Sequence, residues 1–159
     1  MPDGARATHG VASSSRQTCP RCGRPVTCCL CEYLPSQPFH TATEIFVIQH
    51  PEEAKKGIRT SQLLPGVLER CSIHVGQSVD ESHSLFSDAD STCNVLLYPA
   101  DDAIALDESE GVAALTRLVS GRQLRLVVVD GTWRRARQIC ASSSSLMALP
   151  KVALRSESA

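Results

Sequence analysis

No run of consecutive apolar residues exceeds four in this chain, the segments 45–48 and 126–129 being typical. A membrane-spanning helix needs roughly 18, so none is encoded and a soluble chain is expected. Aromatics are scarce, with three Phe, two Tyr and one Trp in 159 residues, which argues against a broad base-stacking platform for single-stranded RNA. Charge of one sign is also lacking. Sixteen Lys and Arg against seventeen Asp and Glu leave a net charge of -1, so any attraction to nucleic acid must come from a local patch. There is no apolar signal-peptide core near the N-terminus, so nothing supports an oxidising compartment. Reduced thiols in the cytoplasm or nucleus are expected, and residues 1–18 read as a disordered tail, with a weak organellar transit sequence as the alternative. The length fits one domain of about 150 residues.

Cysteine, by contrast, is abundant and unevenly placed. Five of the eight cysteines, Cys19, Cys22, Cys28, Cys29 and Cys31, fall within thirteen residues. A CxxC turn offers two thiolates from one tight loop, and a second close pair completes a tetrahedron. Residues 19–35 therefore read as a four-cysteine zinc knuckle with Cys19, Cys22, Cys29 and Cys31 as ligands and a structural role, since four protein ligands leave no open position. Cys28 can replace Cys29 on count alone, and two disulfides or idle thiols are the other readings. Cys71, Cys93 and Cys140 lie in or beside apolar periodic segments and are expected in the core.

From residue 39 onward the pattern is α/β. Segments 44–49 (EIFVIQ), 73–75, 95–98 (VLLY) and 124–129 (LRLVVV) read as strands, with another near 151–154. Pro51 with Glu52 and Glu53 starts a helix, Thr60 is a plausible cap for another, and residues 107–119 follow the helical template with Val112, Leu115, Leu118 and Val119 on one face and Gly121 as terminator. Residues 133–141 form a helix capped by Thr132, and 142–145 read as loop. Strands alternating with helices predict a mostly parallel sheet covered on both faces.

Ligands of such sheets bind beyond the carboxyl ends of the strands, where helix N-termini offer unpaired N–H groups. Asp130 occupies that position. Its carboxylate can take a proton, Gly131 allows close backbone approach, Thr132 adds a hydroxyl and Trp133 can line a pocket; an ordinary capped turn is the bland alternative. Arg134, Arg135 and Arg137 sit badly at a helix N-terminus, which points to an anion or to acidic neighbours, with a solvated face as the other reading.

The tetrapeptide Asp130-Gly131-Thr132-Trp133 followed by Arg135-Ala136 resembles the signature of the DTW-domain family. Cys19-Pro20-Arg21-Cys22-Gly23, Cys29-Leu30-Cys31, Gln49-His50-Pro51-Glu52-Glu53, Thr60 and Leu96-Leu97-Tyr98-Pro99 are similar to that family's motifs in the same order. The resemblance implies a tRNA-uridine aminocarboxypropyltransferase. Such an enzyme moves the 3-amino-3-carboxypropyl group of S-adenosylmethionine to N3 of a tRNA uridine and releases methylthioadenosine. It also implies a SPOUT-like fold, with the cofactor in a C-terminal knotted region. On this reading Asp130 is the base. Thr132 and the following N–H groups hold the donor's carboxylate, Trp133 lies at the catalytic centre, and Leu97, Tyr98, Pro99 and Gly131 border the adenosine. Arg134, Arg135, Arg137 and His50 meet tRNA, although strand-end and capping duties explain His50 equally well.

The family pattern has Asn where this chain has Arg59 before Thr60. It also continues beyond residue 154 into an Arg-containing segment and a Ser-Thr-x-Glu-Ala motif that the sequence does not contain, so residues 39–159 are expected to lack the domain's C-terminal part. No obligate protein partner is evident. Two competing expectations follow: a zinc-knuckle RNA-binding module with an incomplete catalytic domain, and a methyltransferase of SPOUT type.

Overall fold

The computed structural model describes residues 17–154. Most of the expected N-terminal tail, residues 1–16, lies outside the described residues, as do 155–159. Past the knuckle the chain runs through Glu44–Gln49 (β1), Pro51–Ala54 (α1), Leu64–Val67 (α2), Cys71–Val75 (β2), Thr92–Leu97 (β3), Ile104–Ala105 (β4), Ser109–Val119 (α3), Gln123–Asp130 (β5), Trp133–Ala141 (α4), Ser144–Met147 (α5) and Lys151–Ala153 (β6). The six strands form one sheet in the order β2-β1-β5-β3-β6-β4. Every neighbouring pair is parallel.

Side chains alternate across this sheet with period two, which separates the core into two layers. Phe46, Ile48, Leu96 and Val127 point to one face and pack with Ile139, Cys140 and Leu146 of α4 and α5. Cys93, Val95 and Val152 point to the other, with Leu124 and Leu126 of β5 and Leu115, Leu118 and Val119 of α3. Helices therefore cover both faces, as the strand and helix alternation predicts.

A buried salt-bridge network crosses this frame. The Arg125 guanidinium, 9% exposed, meets Glu44 at 3.0 Å and Asp88 at 2.9 Å, and reaches the Leu85 carbonyl at 3.2 Å. A charge in the middle of β5 is tolerated because two carboxylates and a carbonyl face it.

Several boundaries differ from expectation for identifiable reasons. Residues 142–145 are not simply loop, because α5 begins at Ser144 so that Leu146, fully buried, can close the core. Ser143 anchors this segment by accepting the Val79 N–H at 3.0 Å. β4 is only two residues long, too short to show any alternation in sequence. The terminator of α3 is Ser120, with φ 48° in the left-handed region, one residue before Gly121. Val112 points outward, half exposed, while Leu115, Leu118 and Val119 pack inward. Thr60 precedes a single turn at Ser61–Leu63 and its side chain caps nothing. Cys93 and Cys140 are core residues, whereas Cys71 is only partly buried.

Candidate active site and metal centre

Because all strands run the same way, their carboxyl ends meet at one edge of the sheet, and the residues singled out from sequence gather there. Gln49, the last residue of β1, pairs in register with Asp130, the last residue of β5. The Gln49 amide Nε2 donates to Asp130 Oδ2 at 2.6 Å and to Ser61 Oγ at 2.8 Å. The next residue, His50, is buried. Its N–H donates to the Asp130 carbonyl at 3.0 Å and its Nδ1 accepts the Glu52 N–H at 3.1 Å, so its ring caps α1. Pro51 takes the first helical position, as expected.

Across the turn, a Cβ added at Gly131 would lie 3.3 Å from Arg135 Cβ and 3.7 Å from His50 Cβ. A side chain there would press on Arg135 in the first turn of α4. Thr132 caps α4, its Oγ1 accepting the Arg135 N–H at 3.5 Å. Arg135 Nη1 reaches Glu53 Oε1 at 2.8 Å, while Lys56 Nζ meets Glu53 Oε2 at 2.5 Å. These cations, Lys56 foremost, hold the Glu53 carboxyl below the usual carboxylate range despite its burial. The misfit of Arg135 with its helix N-terminus is thus resolved by an acidic neighbour on α1. Arg134 and Arg137 are exposed.

Two cavities flank the end of β5. One, about 240 Å³, is polar and bordered by Glu53, Lys56, Arg59, Thr60, Ser61 and Asp130. The other, about 350 Å³, is apolar and bordered by Leu97, Tyr98, Pro99, Val129, Trp133 and Leu154. Trp133 is 62% exposed and meets Tyr98 edge to face, with ring centroids 6.4 Å apart. The structure therefore assembles Leu97, Tyr98, Pro99 and Trp133 on one side of β5 and turns Asp130 to the other. A larger apolar cavity, about 430 Å³, lies at the opposite end of the sheet, bordered by Thr43, Val112 and Leu124, and contains none of the residues singled out above as site candidates.

Sequence reasoning missed Gln49, Ser61 and Arg59 as site residues. The strand-end rule that singles out Asp130 applies equally to Gln49, at the end of the other clear strand of the same kind.

At the knuckle, Gly23 stands at φ 65°, a conformation that suits glycine, and its N–H returns to the Cys19 carbonyl at 2.8 Å. Arg21 closes the second half by donating to the carbonyls of Cys31 at 3.3 Å and Pro35 at 2.9 Å. The Gln62 side chain presses against Gly23, which seats the knuckle on the α/β domain. The sulfurs of Cys19, Cys22, Cys29 and Cys31 all lie within 4.8 Å of one another, with Cys19 and Cys31 at 3.5 Å and Cys22 and Cys29 at 3.8 Å. Four thiolates about 2.3 Å from a tetrahedral zinc would stand about 3.8 Å apart, so the set is shaped for such an ion. Cys28 is exposed and outside the cluster, which decides between it and Cys29. All eight thiols are free.

Hydrogen bonds from the backbone around Cys22 and Arg21 hold the Cys19 thiol down at about 6. Those around Arg24 lower Cys22 as well. Burial, reinforced by the neighbouring thiols, pushes Cys31 up to about 12. A cluster whose surroundings ease ionisation at Cys19 and Cys22 but resist it at Cys31 would be stabilised by a cation at its centre.

A DTW domain matches residues 16–159. The chain is 35% identical over 145 residues to tRNA-uridine aminocarboxypropyltransferase 2 of Drosophila melanogaster, a match covering 87% of this chain and 54% of that protein. It is 34% identical over 143 residues to the protein of the same name from Mus musculus, covering 86% and 45%. It is 28% identical over 146 residues to tRNA-uridine aminocarboxypropyltransferase A of Arabidopsis thaliana, covering 86% and 54%. The chain thus spans about half the length of the curated relatives it matches. No solved structure matches it, so the SPOUT-like likeness remains an implication of the sequence resemblance.

Proposed function

The chain belongs to the DTW domain family, and from that premise we propose that it is a tRNA-uridine aminocarboxypropyltransferase with S-adenosylmethionine as donor and N3 of a tRNA uridine as acceptor. The observation that carries this reading is the DTW segment itself, Asp130 to Trp133, which lies at the strand-to-helix turn beyond the carboxyl ends of a parallel sheet with a cavity on either side.

The donor supplies an alkyl carbon activated by the adjacent sulfonium. Uracil N3 is a poor nucleophile while protonated, so the Asp130 carboxylate takes its proton as the N3–C bond forms and the C–S bond breaks. The electron pair of that bond leaves on sulfur as the neutral thioether methylthioadenosine. Leu97, Tyr98, Pro99 and Trp133 line the apolar cavity and suit a nucleoside face, with Gly131 giving backbone access between the two cavities. Thr132 and the N–H groups of the first turn of α4 suit the donor's carboxylate. Arg134 and Arg137, exposed on α4, are the phosphate contacts, with Arg135 behind them and committed to Glu53. His50 acts here by shaping the α1 terminus, since its ring is buried and its Nδ1 is occupied. Cys19, Cys22, Cys29 and Cys31 hold one structural zinc.

The test is turnover of the chain with unmodified tRNA and S-adenosylmethionine, read by mass spectrometry of nucleosides and of the donor remnant. Modified uridine with methylthioadenosine is expected, and Asp130→Asn should lower the rate about 100-fold or more, the usual worth of a positioned base. S-adenosylhomocysteine in place of methylthioadenosine, tRNA binding without either product, or full activity in Asp130→Asn would each overturn the reading.

A further inference from the structure

Asp130 does not stand alone at the end of β5. Gln49 is 3% exposed, and its backbone is pinned on both sides, its carbonyl accepting the Gly76 N–H at 3.0 Å while the following His50 N–H donates to Asp130 O at 3.0 Å. From this fixed base the side-chain amide spends its donors on Asp130 Oδ2 at 2.6 Å and Ser61 Oγ at 2.8 Å. An ionised carboxylate is acceptor only, so the amide nitrogen, and not its oxygen, must face it. The other carboxylate oxygen, Oδ1, accepts no hydrogen bond among the described residues, and Asp130 borders the polar cavity together with Ser61.

We propose that Gln49 is a positioning residue for Asp130: it clamps Oδ2, orients Oδ1 as the proton-accepting atom, and through Ser61 ties that orientation to the 59–61 segment that walls the cavity. The inference rests on the reading of Asp130 as base. A buried amide on a neighbouring strand suits this task better than a charged partner would. It fixes the carboxylate by a short, charge-assisted hydrogen bond without bringing a counter-charge to it, so rotation is lost while the carboxylate stays free of an ion pair.

The experiment compares Gln49→Glu, Gln49→Ala and Asp130→Asn, and the double variant Gln49→Glu with Asp130→Asn, in two readouts. The first is the pH dependence of methylthioadenosine release. Two carboxylates at hydrogen-bond distance cannot both ionise easily and share a proton, so Gln49→Glu should move the acidic limb up by about one pH unit or more. Gln49→Ala should lower kcat about 10-fold or more with the KM for tRNA little changed. The second readout needs no turnover. In Gln49→Glu the two facing carboxyl groups would hold their shared proton to higher pH folded than unfolded, so the thermal midpoint of this variant should fall relative to wild type between pH 5 and 8. Adding Asp130→Asn should abolish that fall, because the amide now lies on the other strand.

A Gln49→Glu profile that superposes on wild type with only reduced amplitude overturns the proposal, as does a pH-dependent loss that Asp130→Asn fails to reverse. Full turnover in Asp130→Asn defeats the base reading instead. Loss of turnover in Asp130→Asn with an unmoved Gln49→Glu profile defeats the positioning role alone.

Discussion

Thr132 shows how one side chain serves both stability and the proposed chemistry. Its hydroxyl caps α4 through the Arg135 N–H at 3.5 Å, a long contact, and in doing so fixes where Trp133, Arg134 and Arg137 emerge. Capping threonines contribute about 0.5–2 kcal/mol, and the length of this bond puts Thr132→Ala at the low end, about 0.5–1 kcal/mol. Denaturant unfolding should show that loss with an unchanged slope. A larger loss would mean that Thr132 has partners besides the cap. His50 is a parallel case: a histidine beside a proposed active site, yet its ring is committed to closing α1.

At the scale of an element, the knuckle stands apart from the sheet in what holds it. Between Cys19 and Leu34 only Cys22 and Arg24 are buried, and the segment is closed by backbone turns and by Arg21. Most of its stability must then come from whatever joins the four sulfurs. Zinc removal by a chelator should therefore release protection of backbone amides in residues 19–35 while those of β1, β3 and β5 stay protected, as read by hydrogen exchange. Elemental analysis of the untreated chain should give one zinc. The seat of Gln62 against Gly23 predicts that residues 59–63, of which 59–61 border the polar cavity, lose protection together with the knuckle. Equal loss throughout the sheet would show that the two parts unfold as one.

For the whole molecule, stability should change with pH through a histidine pair and, at lower pH, through paired carboxylates. His74 Nδ1 lies 3.2 Å from His83 Nε2, and His83 Nδ1 accepts the Leu85 N–H at 3.0 Å, which leaves the His83 proton on Nε2, pointing at His74. Burial, with His83 beside it, holds His74 below the ordinary histidine range. The unfolded chain thus binds this proton at higher pH than the folded one. The His74 contribution should be flat above about pH 6.5 and fall as pH drops below it. The second window belongs to paired carboxylates, Asp88 held below the usual range by Arg125 and Glu53 held there by Lys56 and Arg135; their contribution is present above about pH 4 and is lost as pH falls through the folded values. Thermal midpoints from pH 3 to 8 should show both falls, and His74→Phe should remove the histidine part of the upper one while leaving the acidic one in place.

How much of this was legible beforehand varies with the range of the interaction concerned. β1, from Glu44 to Gln49, and α4, from Trp133 to Ala141, emerge with their expected boundaries because their signals are local: a β-branched run ended by Pro51, and a capping Thr132 before an amphipathic stretch. The four-cysteine cluster was legible for the same reason, since its ligands lie within thirteen residues. α5 and β4 were not, because Leu146 and Ile104 make sense only against the layers they complete. Neighbouring residues were enough to specify the strand and helix alternation, the thiol cluster and the DTW segment. It took packing in three dimensions to select Cys29 over Cys28 for the cluster, to turn His50 inward, and to bring Gln49, 81 residues away, onto the Asp130 carboxylate. Spacing along the chain is written in local sequence, whereas which strand lies beside which is settled by burying both faces of the sheet at once.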